Sequence, residues 1–306
     1  MEEKNQKEKI AAVVVTYNRK DLLKECLDAL FNQTRPLDSI ILIDNASTDG
    51  TLEFLKEKGY LDNSKLDYVR LPENTGGAGG FHEGVKRGYE KGYDWLWLMD
   101  DDGWPSKNCL EQLFKHKSEA SFISPLVVRV DKKDELSFGL EGGISTYKEA
   151  IDNSKNSILK NVANPFNGII ISRKLIKKIG NIKKELFIWG DEADYLKRSL
   201  KSGLGVITVV DAIHYHPKGR DEMVKILNGK FKVRFTSSNL RNYCYFRNIA
   251  YIGKKYGLIG FLKLFLLYLY FFIIHNKFDI SGLIFYLKAT IDGIFETWGK
   301  EKKYIK

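Results

Sequence analysis

The sequence predicts an α/β fold: a doubly wound, mostly parallel sheet with a C-terminal helical extension. Apolar runs of strand length alternate four times with helically spaced segments over roughly the first hundred residues. Each of those runs ends in a polar loop, and from about Asn239 the chain turns aromatic, basic and helical in pattern.

The elements follow in order. "KIAAVVVTYN" is a β-branched apolar run closed by polar residues, as a buried strand is. "RKDLLKECLDALFNQ" has helical spacing at Leu22, Leu23, Cys26, Leu27 and Leu30. "SIILIDNAS" is a second strand, "STDGTLEFLKEKG" a helix opened by a Ser or Thr cap, and "LDYVRLPEN" a third strand. "GGFHEGVKRGYEKG" gives another helix before the strand "YDWLWLMD". "ISPLVVRVDKKDELSFGLEGG" reads as less regular strand and loop, and "NPFNGIIISRKLIKKIG" as a strand leading into a short helix. "ELFIWGDEADYLKRSLKSG" is an acid-rich turn opening a helix, and "LGVITVVDAIHYHP" a strand. The expected organisation is a leader over 1–9, an α/β domain over 10–238, and an aromatic, basic helical region over 239–306.

Composition narrows the class. With 43% hydrophobic and 29% charged residues the chain buries a sizeable core. Cys26, Cys109 and Cys244 match no metal-ligand spacing and fit a reducing cytoplasm. "MEEKNQKEKI" has no apolar core of the kind a secretory signal carries. The formal charge of +10 is lopsided: from Tyr215 onward 17 Lys or Arg face 6 Asp or Glu, leaving 32 against 33 before it. No nucleic-acid reader motif accompanies that basic tail, so nucleic acid is not expected as a partner.

Ligands of open α/β sheets sit beyond the carboxyl ends of the strands. Thr16, Tyr17, Asn18 and Arg19 follow the first run, Asp44 and Asn45 the second, "NTGGAGG" the third, and Asp100, Asp101 and Asp102 the fourth. Two of three adjacent carboxylates can face one side and hold a divalent cation on hard oxygens; a solvated acidic turn is the bland alternative. Counted from Gly77, the third glycine of G-x-G-x-x-G would fall on His82, which excludes the dinucleotide fingerprint. The glycines still permit close backbone approach at a helix start, where a phosphate or sugar can lie. Asp191 and Glu192 follow a glycine break at a helix start, where a carboxylate serves either as general base or as N-terminal charge compensation. His214 and His216 alternate onto one strand face, and either can complete a metal site.

In that order, "VVVTYNR", "IDNASTDGT", "NTGGAGGF", "MDDDG", "FIWGDEADYLKR" and "HYHP" resemble the family 2 glycosyltransferases of the inverting GT-A fold, most closely the bacterial galactofuranosyl- and rhamnosyltransferase-like branch. The resemblance covers about residues 10 to 220, and weakly "RNYCYFRN" and "DGIFETWGK" beyond. It implies a nucleotide-sugar site lined by Thr16, Tyr17, Asn18, Asp44, Asn45, Asn74, Gly77 and Asp101, and Mn²⁺ or Mg²⁺ held by Asp100 and Asp102. His216, which follows an aromatic residue, matches the family's metal-side histidine; His214 stays open. Glu192 falls at the general-base position with Asp191 just before it, and Trp104 and Trp189 are candidate sugar platforms.

The implied reaction moves a sugar from a nucleotide donor, UDP-galactofuranose first and dTDP-rhamnose second, to a lipid-linked or growing cell-surface glycan. The rivals are a nucleotidyltransferase and a non-catalytic nucleotide- or glycan-binding module. "GLIGFLKLFLLYLYFFII", residues 257–274, is marginal for a bilayer span of about 20 residues. With "SGLIFYLKATIDGIFETW" it reads as a helical hairpin whose basic edge faces anionic lipid, or else as a plain helical subdomain or homo-oligomer interface. The expected location is the cytoplasm, peripheral to the inner face of the cell membrane.

Overall fold

The computed structural model describes residues 7–218 and 222–305. Of the expected leader, residues 1–6 lie outside the described residues, while Lys9 is already tied to the Asp94 carboxylate through its backbone N–H. The strands are β1 (Ile10–Thr16), β2 (Ser39–Asp44), β3 (Leu66–Arg70), β4 (Trp95–Asp100), β5 (Trp104–Pro105), β6 (Phe122–Arg129), β7 (Glu135–Leu140), β8 (Ile144–Thr146), β9 (Ile158–Lys160), β10 (Asn167–Ser172), β11 (Val206–His216), β12 (Met223–Ile226) and β13 (Phe231–Arg234). The helices are α1 (Lys20–Phe31), α2 (Thr51–Glu57), α3 (Gly76–Glu90), α4 (Cys109–Lys115), α5 (Tyr147–Asn153), α6 (Arg173–Ile179), α7 (Asp191–Lys201), α8 (Asn239–Tyr256), α9 (Leu258–Tyr270) and α10 (Ile280–Ile294).

The chain divides into two compact units, Met1–Ile182 with Tyr195–Gly219, and Lys183–Asp194 with Arg220–Lys306. The expected division after residue 238 thus runs elsewhere: the second unit begins earlier and takes in the segment carrying "FIWGDE". Helix α7 starts in one unit and ends in the other.

The first unit is the predicted α/β sheet, in the order β3-β2-β1-β4-β10-β6-β11-β5. β3, β2, β1 and β4 are parallel throughout, and β6 and β11 are parallel to each other. β10 runs antiparallel between β4 and β6. Every residue of β1, β2 and β6 is buried, which is why these strands read as continuous apolar runs. β6 is accordingly a full central strand where the sequence suggested irregular structure.

Helix α3 begins at Gly76, inside the glycine cluster expected to be loop. Its glycines serve packing. A Cβ on Gly80 would lie 2.5 Å from Val15, one on Gly84 2.3 Å from Val13, and one on Gly88 2.5 Å from Leu96. These three positions form one stripe on which the helix backbone rests against β1 and β4. Gly77, by contrast, has open space around it.

In the second unit, α8, α9, a π-helical turn (Phe271–His275) and α10 enclose a core rich in aromatics, including Phe246, Tyr268, Phe272 and Tyr286. α10 crosses α8 so closely that a Cβ on Gly293 would lie 2.0 Å from the Arg247 carbonyl oxygen. Leu258–His275 is long and apolar enough to cross a membrane, with mean hydropathy 2.1, and 17% of it is buried.

Candidate active site

Parallel strands bring their carboxyl ends to one rim of the first unit, and the polar residues there interlock. The Thr16 hydroxyl at the end of β1 donates to Asp101 Oδ2 at 2.7 Å. Arg19, one loop further on, reaches Asp101 Oδ1 at 3.1 Å and Asp102 Oδ2 at 2.6 Å. The mutual repulsion of the acids is therefore relieved in part by a guanidinium, which the sequence placed on this rim without a role. Asp101 is 2% exposed, and loss of water raises its pKa to about 6 although Arg19 and Thr16 pull the other way. Asp102 is also desolvated, but the hydrogen bond and charge of His216, with Arg19, hold it down at about 2. Asp100 is half-buried at the strand end, its backbone N–H donating to the Phe166 carbonyl.

The two histidines part company. His216 Nε2 lies 3.1 Å from Asp102 Oδ1, and its Nδ1 lies 2.6 Å from the Pro217 carbonyl oxygen. His214 is 1% exposed between two glycines: a Cβ on Gly103 would come within 2.5 Å of its Nε2, and one on Gly168 within 2.7 Å of its Nδ1. That Nδ1 has no hydrogen-bond partner, and burial depresses the His214 pKa to about 3, so the ring is neutral.

Beside this cluster, Asn18, Asp44, Asn45 and Asn74 tie the loops together. Asp44, fully buried, accepts from the Ser47 N–H at 2.8 Å and the Tyr68 hydroxyl at 2.7 Å. Asn45 donates to Asn74 Oδ1 and the Gly76 carbonyl, and accepts from the Thr75 N–H. Asn18 Oδ1 accepts from the Thr48 N–H at 2.7 Å. Tyr17 is 42% exposed. Trp104 sits in β5 against β11, its ring 6.3 Å from that of Tyr215.

In the second unit, Asp191 is 4% exposed and Glu192 half-buried at the start of α7. Glu192 Oε2 accepts from the Gly190 N–H at 2.8 Å. Trp189 meets Tyr245 edge to face at 6.0 Å, under the Arg234 guanidinium.

The donor set on the rim suits a divalent cation. His216 turns Nε2 to the Asp102 carboxylate and Nδ1 to a backbone carbonyl. An Nδ1–H held by a backbone carbonyl is the orientation a metal-ligating histidine adopts. Among the described residues no group of three or more His, Cys, Asp or Glu gathers to hold a metal.

Fold and sequence family together define a GT-A glycosyltransferase. Residues 11–180 match the family model described as glycosyl transferase family 2, and the chain belongs to that family. It is 32% identical to the galactofuranosyltransferase GlfT1 of Mycobacterium tuberculosis over 301 residues, covering 96% of this chain and 98% of the relative. It is 26% identical to the dTDP-rhamnosyl transferase RfbF of Shigella flexneri, covering 93% and 95%. A crystal structure of S. aureus TarS 1-349 in complex with UDP has the same fold, with TM-score 0.55 at 18% identity, covering 94% of this chain and 81% of that one.

Proposed function

We propose that the enzyme transfers galactofuranose from UDP-galactofuranose to a lipid-linked or growing cell-surface glycan, with inversion at the sugar. The end-to-end similarity to a galactofuranosyltransferase carries this reading. A dTDP-rhamnose donor is second, on the lower identity to a rhamnosyltransferase. In the reaction an acceptor hydroxyl oxygen bonds to the anomeric carbon as the bond to the diphosphate oxygen breaks, and no covalent enzyme intermediate forms. Glu192, or Asp191 beside it, takes the hydroxyl proton. Asp102 and His216, with Asp100 at hand, would hold Mn²⁺ or Mg²⁺, which when bound neutralises charge on the departing diphosphate. Thr16 and Arg19 fix the acid cluster: Arg19 orients Asp102 and shields Asp101, so the ligand carboxylate is in place before donor arrives. Tyr17, Asn18, Asp44, Asn45, Asn74 and Gly77 line the nucleotide pocket, and Trp104 and Trp189 offer sugar faces.

Calorimetry of a donor panel with and without Mn²⁺ tests this. UDP-galactofuranose is expected to bind most tightly, and more tightly with metal. Asp102→Asn should weaken donor binding only when metal is supplied, by about tenfold or more for one lost ligand. An equal loss without metal would refute the ligand role. Release of pyrophosphate in place of UDP would favour the nucleotidyltransferase reading, and donor binding without any turnover would favour a binding module.

The same reading seats the enzyme at the cytoplasmic membrane surface. Leu258, Ile259, Leu262 and Leu266 of α9 and Ile280, Ile284 and Ile291 of α10 are exposed. Lys254, Lys255, Lys263 and Lys277 flank or interrupt this apolar sequence, as on a helix lying in an anionic interface. Burial of one leucine is worth about 1.5–3 kcal/mol, so Leu262→Glu with Leu266→Glu should cut co-sedimentation with phosphatidylglycerol vesicles by at least about tenfold, the unfolding midpoint unchanged. Undiminished vesicle binding would overturn the membrane reading; a protein whose mass rises with concentration until these changes are made would point to a homo-oligomer.

A further inference from the structure

The segment that carries the proposed base has an unusual backbone. Phe187 adopts φ 62, ψ −65, a γ-turn of the rarer, strained hand, closed by the Ile188 N–H on the Leu186 carbonyl at 2.7 Å. Trp189 follows at φ 61 and Gly190 at φ 109. Two bulky residues in the left-handed region within three positions persist only where surrounding contacts over-determine them.

Those contacts come from two consecutive side chains of α8. Arg247 is fully buried and its guanidinium donates to the carbonyls of Glu185 and Leu186, both at 2.9 Å, and to the Glu301 carboxylate. Asn248, 1% exposed, directs its amide nitrogen at the carbonyls of Leu186 (2.8 Å), Ile188 (3.1 Å) and Trp189 (2.5 Å). Its orientation is fixed because Oδ1 accepts from Arg247 Nε at 2.9 Å, leaving Nδ2 to face the segment. Four carbonyls of the five residues before Gly190 thus end on one Arg-Asn pair. A Cβ on Gly190 would lie 3.0 Å from Asn248 Cβ, so the segment passes hard against that side chain. The next link is to the acid itself: the Gly190 N–H donates to Glu192 Oε2.

We propose that Arg247 and Asn248 are positioning residues for the transfer reaction, holding the 185–190 backbone in the conformation that presents Asp191 and Glu192. This rests on the reading of those acids as the base. Neither residue touches a reacting atom. Their effect is to remove the freedom of a strained segment, so that the carboxylate is in place without reorganisation at each turnover.

Asn248→Asp tests it. The substituted side chain has the same shape and can still accept from Arg247, but it sets an acceptor oxygen against three carbonyls. Expected is a fall in kcat of about 10²-fold, the loss a displacement of roughly 1 Å produces, with both KM values and the donor Kd within about twofold. Gly190→Ala, which pushes the same segment from the other side, should give the same split and decides the matter if Asn248→Asp does not fold. A folded Asn248→Asp protein, or failing that Gly190→Ala, with wild-type kcat overturns the proposal, as does a loss that falls on donor binding. Glu192→Gln and Asp191→Asn run alongside separate the two claims. If either abolishes turnover while Asn248→Asp retains it, the positioning role alone fails; if both retain turnover, the base reading fails and the proposal with it.

Discussion

Glu192→Gln is expected to bind the donor as the unchanged enzyme does and to lose about 10²- to 10⁴-fold in turnover, the range a general base contributes. Glutamine keeps the length of the side chain and an acceptor oxygen for the Gly190 N–H, so the segment before α7 retains its shape. What it cannot do is take a proton. The loss therefore falls on chemistry and leaves binding alone, which donor calorimetry and single-turnover rates separate. Asp191→Asn is the necessary companion, because Asp191 is buried at 4% exposure while Glu192 is half-buried and better able to meet an incoming hydroxyl. The larger loss is expected at Glu192. Undiminished turnover in Glu192→Gln, with a large loss in Asp191→Asn, would transfer the role to Asp191.

The parallel strands and the acid cluster were legible in the sequence for a physical reason. Strands buried on both faces must be continuously apolar, and the polar residues that stop them collect where ligands bind. Thr16, Asp101, Asp102 and His216 accordingly meet on one rim. What escaped is what depends on pairing across distance. Arg19 looks like any loop cation until the fold brings it to Asp101 and Asp102, 82 and 83 positions away. The insertion of β10 antiparallel between β4 and β6 leaves no local trace, because a buried antiparallel strand and a buried parallel one share a composition. His214 and His216 share a strand face, and only Gly103 and Gly168, far off in sequence, reveal that the first is packed away. Arg247 and Asn248 sit in a segment legible only as aromatic, basic and helical, because the carbonyls they hold lie 61 and 59 positions away.

The glycines of α3 were legible as glycines but not for their purpose, and Gly84 gives the second large effect. An alanine in a helix interior is worth about 1 kcal/mol over glycine, so propensity alone predicts that Gly84→Ala stabilises. Sterics oppose it: the added Cβ would stand 2.3 Å from Val13 Cγ1 and 3.3 Å from Ile43 Cγ1, both on fully buried strands. Val13 cannot retreat, since β1 is paired with β2 on one side and β4 on the other. Overpacking of this kind costs about 1–3 kcal/mol, and Gly84→Val, bulkier and β-branched, should exceed that and approach the whole stability of a domain. Gly77→Ala is the control of opposite sign, because nothing lies within 4 Å of its added methyl and propensity then acts unopposed. Denaturant midpoints compare the three, and a Gly84→Ala protein more stable than the unchanged chain would refute the packing account. The cost reaches the site as well: α3 starts where Asn45 accepts from Thr75 and donates to the Gly76 carbonyl, so a helix displaced from β1 carries the proposed nucleotide loop with it. Donor affinity in Gly84→Ala should therefore fall under conditions where the protein is still fully folded.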